Sequence, residues 1–346
     1  MAPFAINIMI LMSLCALACY GLCLILRPLF QRYALARPNA RSSHQVPTPQ
    51  GGGLAIVMVS LVACGLVTVM LAPVWPQEST AVVGGALVLM VLGGVDDVRA
   101  LPASLRLAIQ SLVILFLMLM LPSSLRLLPE TMPLLLERLL GGLALLWFVN
   151  LVNFMDGIDW ITGAELIPIW LVVLVFGLLI DDDAVVLVCA ILIGSYLGFM
   201  PLNRPVAQLF LGDVGSLPLG FITGWLLYRI GAQFNLVCAV LPPLYYLIDA
   251  TFTLIHRAIK GEKVWEGHRS HFYQQATNHG LSVSGIVWRI ALTNVGLGIV
   301  ALGAIDEPPK GALIALTAGG GLVGLLVRSL MRERAPTNDP EPLSIP

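Results

Sequence analysis

Eleven runs of apolar residues follow one another along this 346-residue chain, beginning near residues 5, 54, 81, 105, 135, 165, 184, 216, 235, 285 and 311. A run of roughly 17 to 25 such residues is the length of a helix that crosses a bilayer. Hydrocarbon offers the backbone no partner, so runs without strand alternation read as spanning helices. Only 11% of the residues are charged and 58% are apolar, against about a quarter charged in soluble domains. The expected fold is therefore all-α, a polytopic membrane protein of about eleven helices. The third run is short if it stops before Asp96, and only a tight turn near Gln233 separates the eighth from the ninth. The polar segments leave no room for a soluble domain, so residues 1–331 read as one transmembrane domain. Residues 332–346, rich in proline, read as a disordered cytoplasmic tail.

Charge sets the orientation. With the N-terminus outside, alternate loops place all but four of the 19 Lys and Arg residues on one side, leaving Arg126, Arg138, Arg229 and Lys310 on the other. By the positive-inside rule the rich side is cytoplasmic. A net charge of −1 gives no footprint for nucleic acid, and no basic amphipathic tract suggests a peripheral protein. The first run has no basic residue before Arg27, so it reads as a spanning helix rather than a signal peptide. All six cysteines lie inside apolar runs without a CxxC pair, which speaks against a zinc or disulfide framework.

Five polar segments, found without reference to topology, all fall on the cytoplasmic side. SSHQVPTPQGGG (42–53) has two prolines that stiffen it and three glycines that allow close backbone approach to a ligand or a helix, a plain hinge being the alternative. GGVDDVRALPASLRLAIQ (93–110) places Asp96 beside Asp97 at a helix end, where two carboxylates need a cation or a basic partner. Arg99 or Arg106 could supply that partner structurally. NLVNFMDGIDW (150–160) packs Asn150, Asn153, Asp156 and Asp159 at every third position. On one straight helix these would spread over about 180°, so a break at Gly157 is expected to fold the two acids back towards the Asn pair. In LFLGDVGSLPLG, Ser216 reads as the cap of a helix that Pro218 helps to start, with Asp213 on the turn before it, suited to a hard divalent cation. RAIKGEKVWEGHRSHFYQQATNHG (257–280) gathers His268, Arg269 and His271, donors fit for a pyrophosphate or its sugar; a basic loop lying on anionic lipid is the alternative. Asp249 lies eight residues before Arg257, about 12 Å by helix rise, and needs a partner within the bundle.

Taken together, these segments resemble the polyprenyl-phosphate N-acetylhexosamine-1-phosphate transferases of glycosyltransferase family 4. The Asp96–Asp97 pair, NFMDGID (153–159), GDVGS (212–216) and HRSHFYQ (268–274) occur in that family's order, and the resemblance runs from His44 to about Gly280. HRSHFYQ looks most like the O-antigen-initiating branch and departs from the muramoyl-pentapeptide branch, which has a run of histidines there. Trp160 stands where many members have glycine.

The resemblance implies Mg²⁺-dependent transfer, with Mn²⁺ as an alternative ion, of a sugar 1-phosphate from a UDP-N-acetylated amino sugar to undecaprenyl phosphate in the inner membrane. UMP would be released at the cytoplasmic face. It implies Asp213 and Asp156 at the metal, Asp96, Asp97, Asp156 and Asp159 in catalysis, and His44, Arg106, Asn153, His268, Arg269 and His271 in substrate binding. For Asp96 and Asp97 three roles stay open: base, acceptor positioning through a cation, or covalent nucleophile. Monomer and homodimer are both compatible with the sequence. The rival class is a transporter or flippase with an acidic cytoplasmic gate.

Overall fold

The computed structural model describes residues 2–36, 47–71, 75–128, 131–263, 268–305 and 309–332. Among the described residues there are thirteen helices: α1 (Ala2–Tyr33), α2 (Gly52–Leu71), α3 (Ser79–Val98), α4 (Ala103–Met120), α5 (Leu134–Met155), α6 (Ile161–Leu179), α7 (Asp183–Phe199), α8 (Asp213–Gln233), α9 (Leu236–Val240), α10 (Leu244–Ile259), α11 (Phe272–Asn278), α12 (Val283–Gly303) and α13 (Pro309–Met331). The sheet content among the described residues is a two-residue pair, β1 (Leu35–Ala36) against β2 (Thr48–Pro49), antiparallel with Leu35 opposite Pro49.

Every expected apolar run holds a helix, and the protein is an all-α, multi-pass membrane protein. Among the described residues, eight helices are long and apolar enough to cross a bilayer, fewer than the eleven expected. The difference has local causes. α7 has 17 residues, α8 begins with Asp213 and carries Arg229 near its end, and the ninth run is broken into α9 and α10 at Pro242–Pro243. Two consecutive prolines remove two N–H donors and prevent one continuous helix.

The core sits around α6, whose spanning window is 72% buried, against 17% for peripheral α1. Trp170, Phe176, Tyr196, Phe199 and Phe221 fill it. Outward faces such as Leu17, Ile25, Val69, Val91 and Leu119 remain apolar, as hydrocarbon requires. All six cysteines are free.

The first turn of α8 is the point on which the neighbouring helices converge. A side chain at Gly53 of α2 would collide with the backbone of Gly215, and one at Gly93 of α3 with the backbone of Asp213. Both helices can therefore lie directly on that turn. The preceding strand-like segment is tied on by Gly51 and Gly52 N–H groups donating to Phe210 O at 3.1 and 2.9 Å, and by Gly53 N–H donating to Leu211 O at 2.9 Å. The glycines of 51–53 thus serve approach to a helix. His44, in the same expected segment, lies outside the described residues.

Of three local expectations, two are corrected. α8 starts at Asp213, so Ser216 is buried inside the helix and does not cap it. The cap position belongs to Gly212, at φ +77°. The expected break does fall at Gly157, between Met155 and Ile161, with the left-handed residue of the turn at Trp160 (φ +66°); Gly157 is required because a side chain there would strike the Tyr273 hydroxyl. Finally, Asn150 is buried and donates to Gln110 Oε1 (2.6 Å) and Leu146 O (2.8 Å), joining α5 to α4 away from the acids.

Candidate active site

Asp96 and Asp97 share the last turn of α3 but have different partners. The Asp96 carboxylate accepts the Leu101 N–H at 2.6 Å and Arg106 Nη1 at 2.6 Å, so the α3–α4 turn wraps around it. The Asp97 oxygens accept the backbone N–H groups of Asp213 (2.9 Å) and Val214 (3.1 Å). A carboxylate from α3 thereby caps the N-terminus of α8, where free amides and the helix dipole favour negative charge. Gln50 Nε2 adds donations to Asp97 O at 2.8 Å and Oδ1 at 3.3 Å. Glycine is needed at 212 both for its positive φ and because a side chain would meet the Asp97 carboxylate.

Asp213 is held from both sides. Asn153, on the last turn of α5, donates to its Oδ1 at 2.7 Å and to Ser216 Oγ at 2.9 Å, while Arg106 Nη1 lies 3.4 Å from its Oδ2. Four of the segments singled out in the sequence thus meet within hydrogen-bonding distance: 42–53 through Gln50, 93–110, 150–160 and the α8 start.

Asp156 and Asp159 occupy the α5–α6 turn. Thr162 donates to Asp156 Oδ1 at 2.5 Å. Burial pushes the Asp156 carboxyl up to about 7, the charges of Asp97 and Asp159 adding to the rise and Thr162 opposing it. Asp159 accepts the Ala207 N–H at 3.0 Å and anchors the α7–α8 loop; burial raises its pKa as well. Asp97 is the charged neighbour that Asp156 and Asp213 share. Of the five carboxylates, Asp96 and Asp213 reach a guanidinium, that of Arg106, the one such partner of the cluster among the described residues. Among the described residues no three His, Cys, Asp or Glu side chains converge tightly enough to hold an ion alone, so an ion here would need further oxygens from water or substrate.

The 268–280 segment closes on the same turn. Tyr273 and Gln274 of α11 lie against Gly157. The His268 and His271 rings are 4.8 Å apart. Burial pushes His268 down to about 4, with the nearby His271 and Arg257 adding to the fall, so it is neutral at pH 7 and offers hydrogen bonds rather than charge. Arg269 has a buried Nε with no partner among the described residues. His271 is itself buried, its Nδ1 3.0 Å from Asp249 Oδ1.

Sequence reasoning missed Gln50 and Asn203, neutral residues whose partners lie 47 and 43 positions away, and Thr162, bonded to Asp156 six positions before it. It also missed Glu165, fully buried on α6, bonded by Asn294 Nδ2 at 2.6 Å. An acid inside the apolar run GAELIPIW was the available signal.

The sequence model of glycosyl transferase family 4 matches residues 79–231, from the start of α3 to nearly the end of α8. Over that stretch the chain is similar to this family. The matched stretch contains all five acids of the cluster and stops before Asp249 and the His268–His271 segment. The chain is 29% identical over 279 residues to a probable undecaprenyl-phosphate N-acetylglucosaminyl 1-phosphate transferase of Bacillus subtilis, covering 75% of each chain. It is 27% identical to a decaprenyl-phosphate N-acetylglucosaminephosphotransferase of Mycolicibacterium smegmatis, over 89% of this chain and 84% of the relative. A phospho-N-acetylmuramoyl-pentapeptide-transferase of Desulfovibrio desulfuricans is 30% identical over 45% of this chain and 48% of its own length.

Proposed function

We propose that this protein, as a family 4 glycosyl transferase, moves an N-acetylhexosamine 1-phosphate, N-acetylglucosamine or a related deoxy amino sugar, from its UDP donor to undecaprenyl phosphate at the cytoplasmic face of the inner membrane. It would thereby begin an O-antigen or another cell-envelope polysaccharide. The observation that carries this reading is the charge imbalance: five carboxylates brought together by α3, the α5–α6 turn and α8, with Arg106, paired to Asp96 and Asp213, as the one guanidinium partner among the described residues. Such a cluster calls for a cation, and an all-oxygen donor set completed by phosphates and water suits Mg²⁺, or Mn²⁺ in its place. The relatives' names support the phosphosugar chemistry and the polyprenyl acceptor.

In the reaction, an oxygen of the acceptor phosphate forms a bond to the sugar-bearing phosphorus, and the bridge to the other phosphorus breaks, so that UMP leaves with the electron pair. Both reactants are anionic, so suppressing repulsion and aligning them is the main task. Asp213 and Asp156 would hold the ion, which when bound would neutralise phosphate oxygens. Asn153 and Arg106 fix the Asp213 carboxylate. The Arg269 Nε, unpaired among the described residues, and the neutral His268 would donate to the donor's phosphates. A phosphate monoester with a second pKa of about 6 is already dianionic at pH 7, so a base has little to remove. Of the three roles open to Asp97, its two bonds to the α8 amides favour positioning. A sugar-phosphate adduct trapped on Asp97 in the absence of lipid would overturn that assignment.

A transporter with an acidic gate would be expected to spread its charge towards the bilayer centre; here the five acids gather at one end of the bundle. The deciding test is UMP release by detergent-purified protein given undecaprenyl phosphate, Mg²⁺ and a panel of UDP-amino sugars. Release dependent on lipid, metal and Asp213 supports the transferase and names the sugar; no release with any donor from folded protein sinks it.

A further inference from the structure

Asp249 is fully buried on α10, and its carboxylate has four neighbours from two parts of the chain. On its own helix, Tyr245 OH lies 2.9 Å from Oδ2 and Thr253 Oγ1 3.2 Å from Oδ1. From the start of α11, the Phe272 N–H donates to Oδ1 at 3.1 Å, and His271 Nδ1 lies 3.0 Å from the same oxygen. The backbone N–H can only donate, so Oδ1 is an acceptor. His271 Nδ1 must then carry the proton it shares with Asp249, leaving Nε2 as the free ring nitrogen.

A competing contact exists. His271 also occupies the N-cap of α11, where its side chain is within reach of the Gln274 backbone N–H, and Gln274 Oε1 answers with a 3.4 Å contact to the His271 N–H. One ring nitrogen cannot accept from Gln274 and donate to Asp249 at once. The carboxylate contact is the stronger of the two, because bonds to an ionised group are roughly twice as strong as neutral ones.

We propose that Asp249 is a positioning residue of the transferase: it fixes His271 as the Nδ1–H tautomer and seats the first turn of α11 against the Asp156–Asp159 turn. The second half follows from Tyr273 and Gln274, which follow His271 directly and lie against Gly157. The His271 ring stacks on Tyr273 at 5.7 Å and sits 4.8 Å from His268, so its orientation is passed on to both. Through this arrangement a carboxylate that touches no reactant determines which nitrogen of a site histidine can meet one. The role of His271 in turnover rests on the proposed transferase reaction; the tautomer does not.

Two measurements separate these parts. In protein labelled with ¹⁵N-histidine, with the His271 signal assigned by its loss in His271→Gln, the Nδ1–H form is expected in the full-length protein and the Nε2–H form, or a mixture, in Asp249→Asn. An Nε2–H tautomer in the unaltered protein overturns the proposal whatever the enzyme's activity. In turnover, Asp249→Asn should lower kcat at least tenfold with KM for the UDP-sugar changed less than threefold, and should cost under twofold when added to His271→Gln. An equal loss in both backgrounds would make Asp249 a fold residue only and refute the coupling. Thermal unfolding in detergent accompanies each variant, and Asp249→Ser, which keeps a polar side chain at the site, replaces the Asn variant if that one does not fold. If the unaltered protein turns over no donor, the transferase reading fails, and the tautomer measurement still decides the geometry.

Discussion

The two ends of the helical bundle handle charge in opposite ways. At the end away from the acid cluster, three acids pair with two arginines, and a third arginine is satisfied by a hydroxyl and two carbonyls. Glu78, fully buried, takes Arg229 Nη1 at 2.7 Å and the Trp225 indole N–H at 3.2 Å, while Arg229 Nη2 reaches Asp182 at 2.7 Å. Glu137 accepts Arg126 Nε at 2.8 Å and the Leu127 N–H at 2.6 Å. Arg138 spends its donors on Tyr228 OH and on the carbonyls of Pro122 and Leu125. At the other end five carboxylates gather, and among the described residues only Asp96 and Asp213 reach a guanidinium, that of Arg106. Balanced charge at a membrane boundary is what a fold needs to hold its loops. Unbalanced charge weakens the fold and persists where a bound cation or substrate completes it.

The largest expected effect breaks the comparison at the acid end. Asp213→Asn should lower UMP release by two to three orders of magnitude, about 3–4 kcal/mol in the barrier, as for loss of a key electrostatic group. Its thermal unfolding in detergent should hold or rise, because one of the crowded carboxylates is gone. A variant that loses stability and activity together would place Asp213 with the structural acids.

The matching change at the far end should do the reverse. Glu78→Gln leaves Arg229 without one of its two carboxylates in a buried setting, and breaking such a pair costs about 3 kcal/mol. Unfolding should shift accordingly, with turnover per folded molecule unchanged. Loss of turnover in still-folded protein would mean that the two ends are coupled.

How much of this contrast is legible in the sequence follows from the kind of partner each residue has. The bundle is legible because apolar length is a local property. The acids of 96–97, 156–159 and 213 are legible because each breaks an apolar pattern in its own segment. The capping of α8 by Asp97 is not legible, because it joins residues 116 positions apart. The pairing of Asp249 with His271 is likewise a matter of packing; the sequence states only that a buried acid needs some partner. The buried arginines of the far end read from the sequence as loop charges, because charge counting cannot distinguish a solvated Arg138 from one that is 8% exposed.

A smaller effect sharpens the role of the imbalance. Without metal, Asp156 holds its proton more tightly folded, at about 7, than unfolded, at about 3.9. The folded state therefore binds more protons between those values, and stability should fall as pH rises through that window. A bound divalent cation needs the ionised form, so the stabilisation given by added Mg²⁺ should be full above pH 7 and fade below it. Melting temperatures at pH 6 and 8, with and without Mg²⁺, measure both slopes. Asp156→Asn should flatten them, and unchanged slopes in that variant would assign the titration to another group.

The smallest effect concerns the turn that carries Asp156 and Asp159. Trp160 holds a left-handed backbone, which costs a bulky side chain on the order of 1 kcal/mol. Two bonds keep it there: its N–H donates to Asn203 Oδ1 at 2.9 Å, and its indole N–H to Met200 O at 2.8 Å. Glycine would relieve the strain and keep the first bond, but would lose the second, worth about 1 kcal/mol, and would add backbone entropy to the unfolded chain. These contributions nearly cancel, so Trp160→Gly should change stability by about 1 kcal/mol or less and turnover by less than tenfold. Such a result would make the indole a strut between the α5–α6 turn and the α7–α8 loop, a structural device set directly beside the acids. A hundredfold loss of turnover with normal unfolding, or a switch in the preferred UDP-sugar, would instead move Trp160 into the site and make it the one aromatic wall of an otherwise carboxylate-lined cluster.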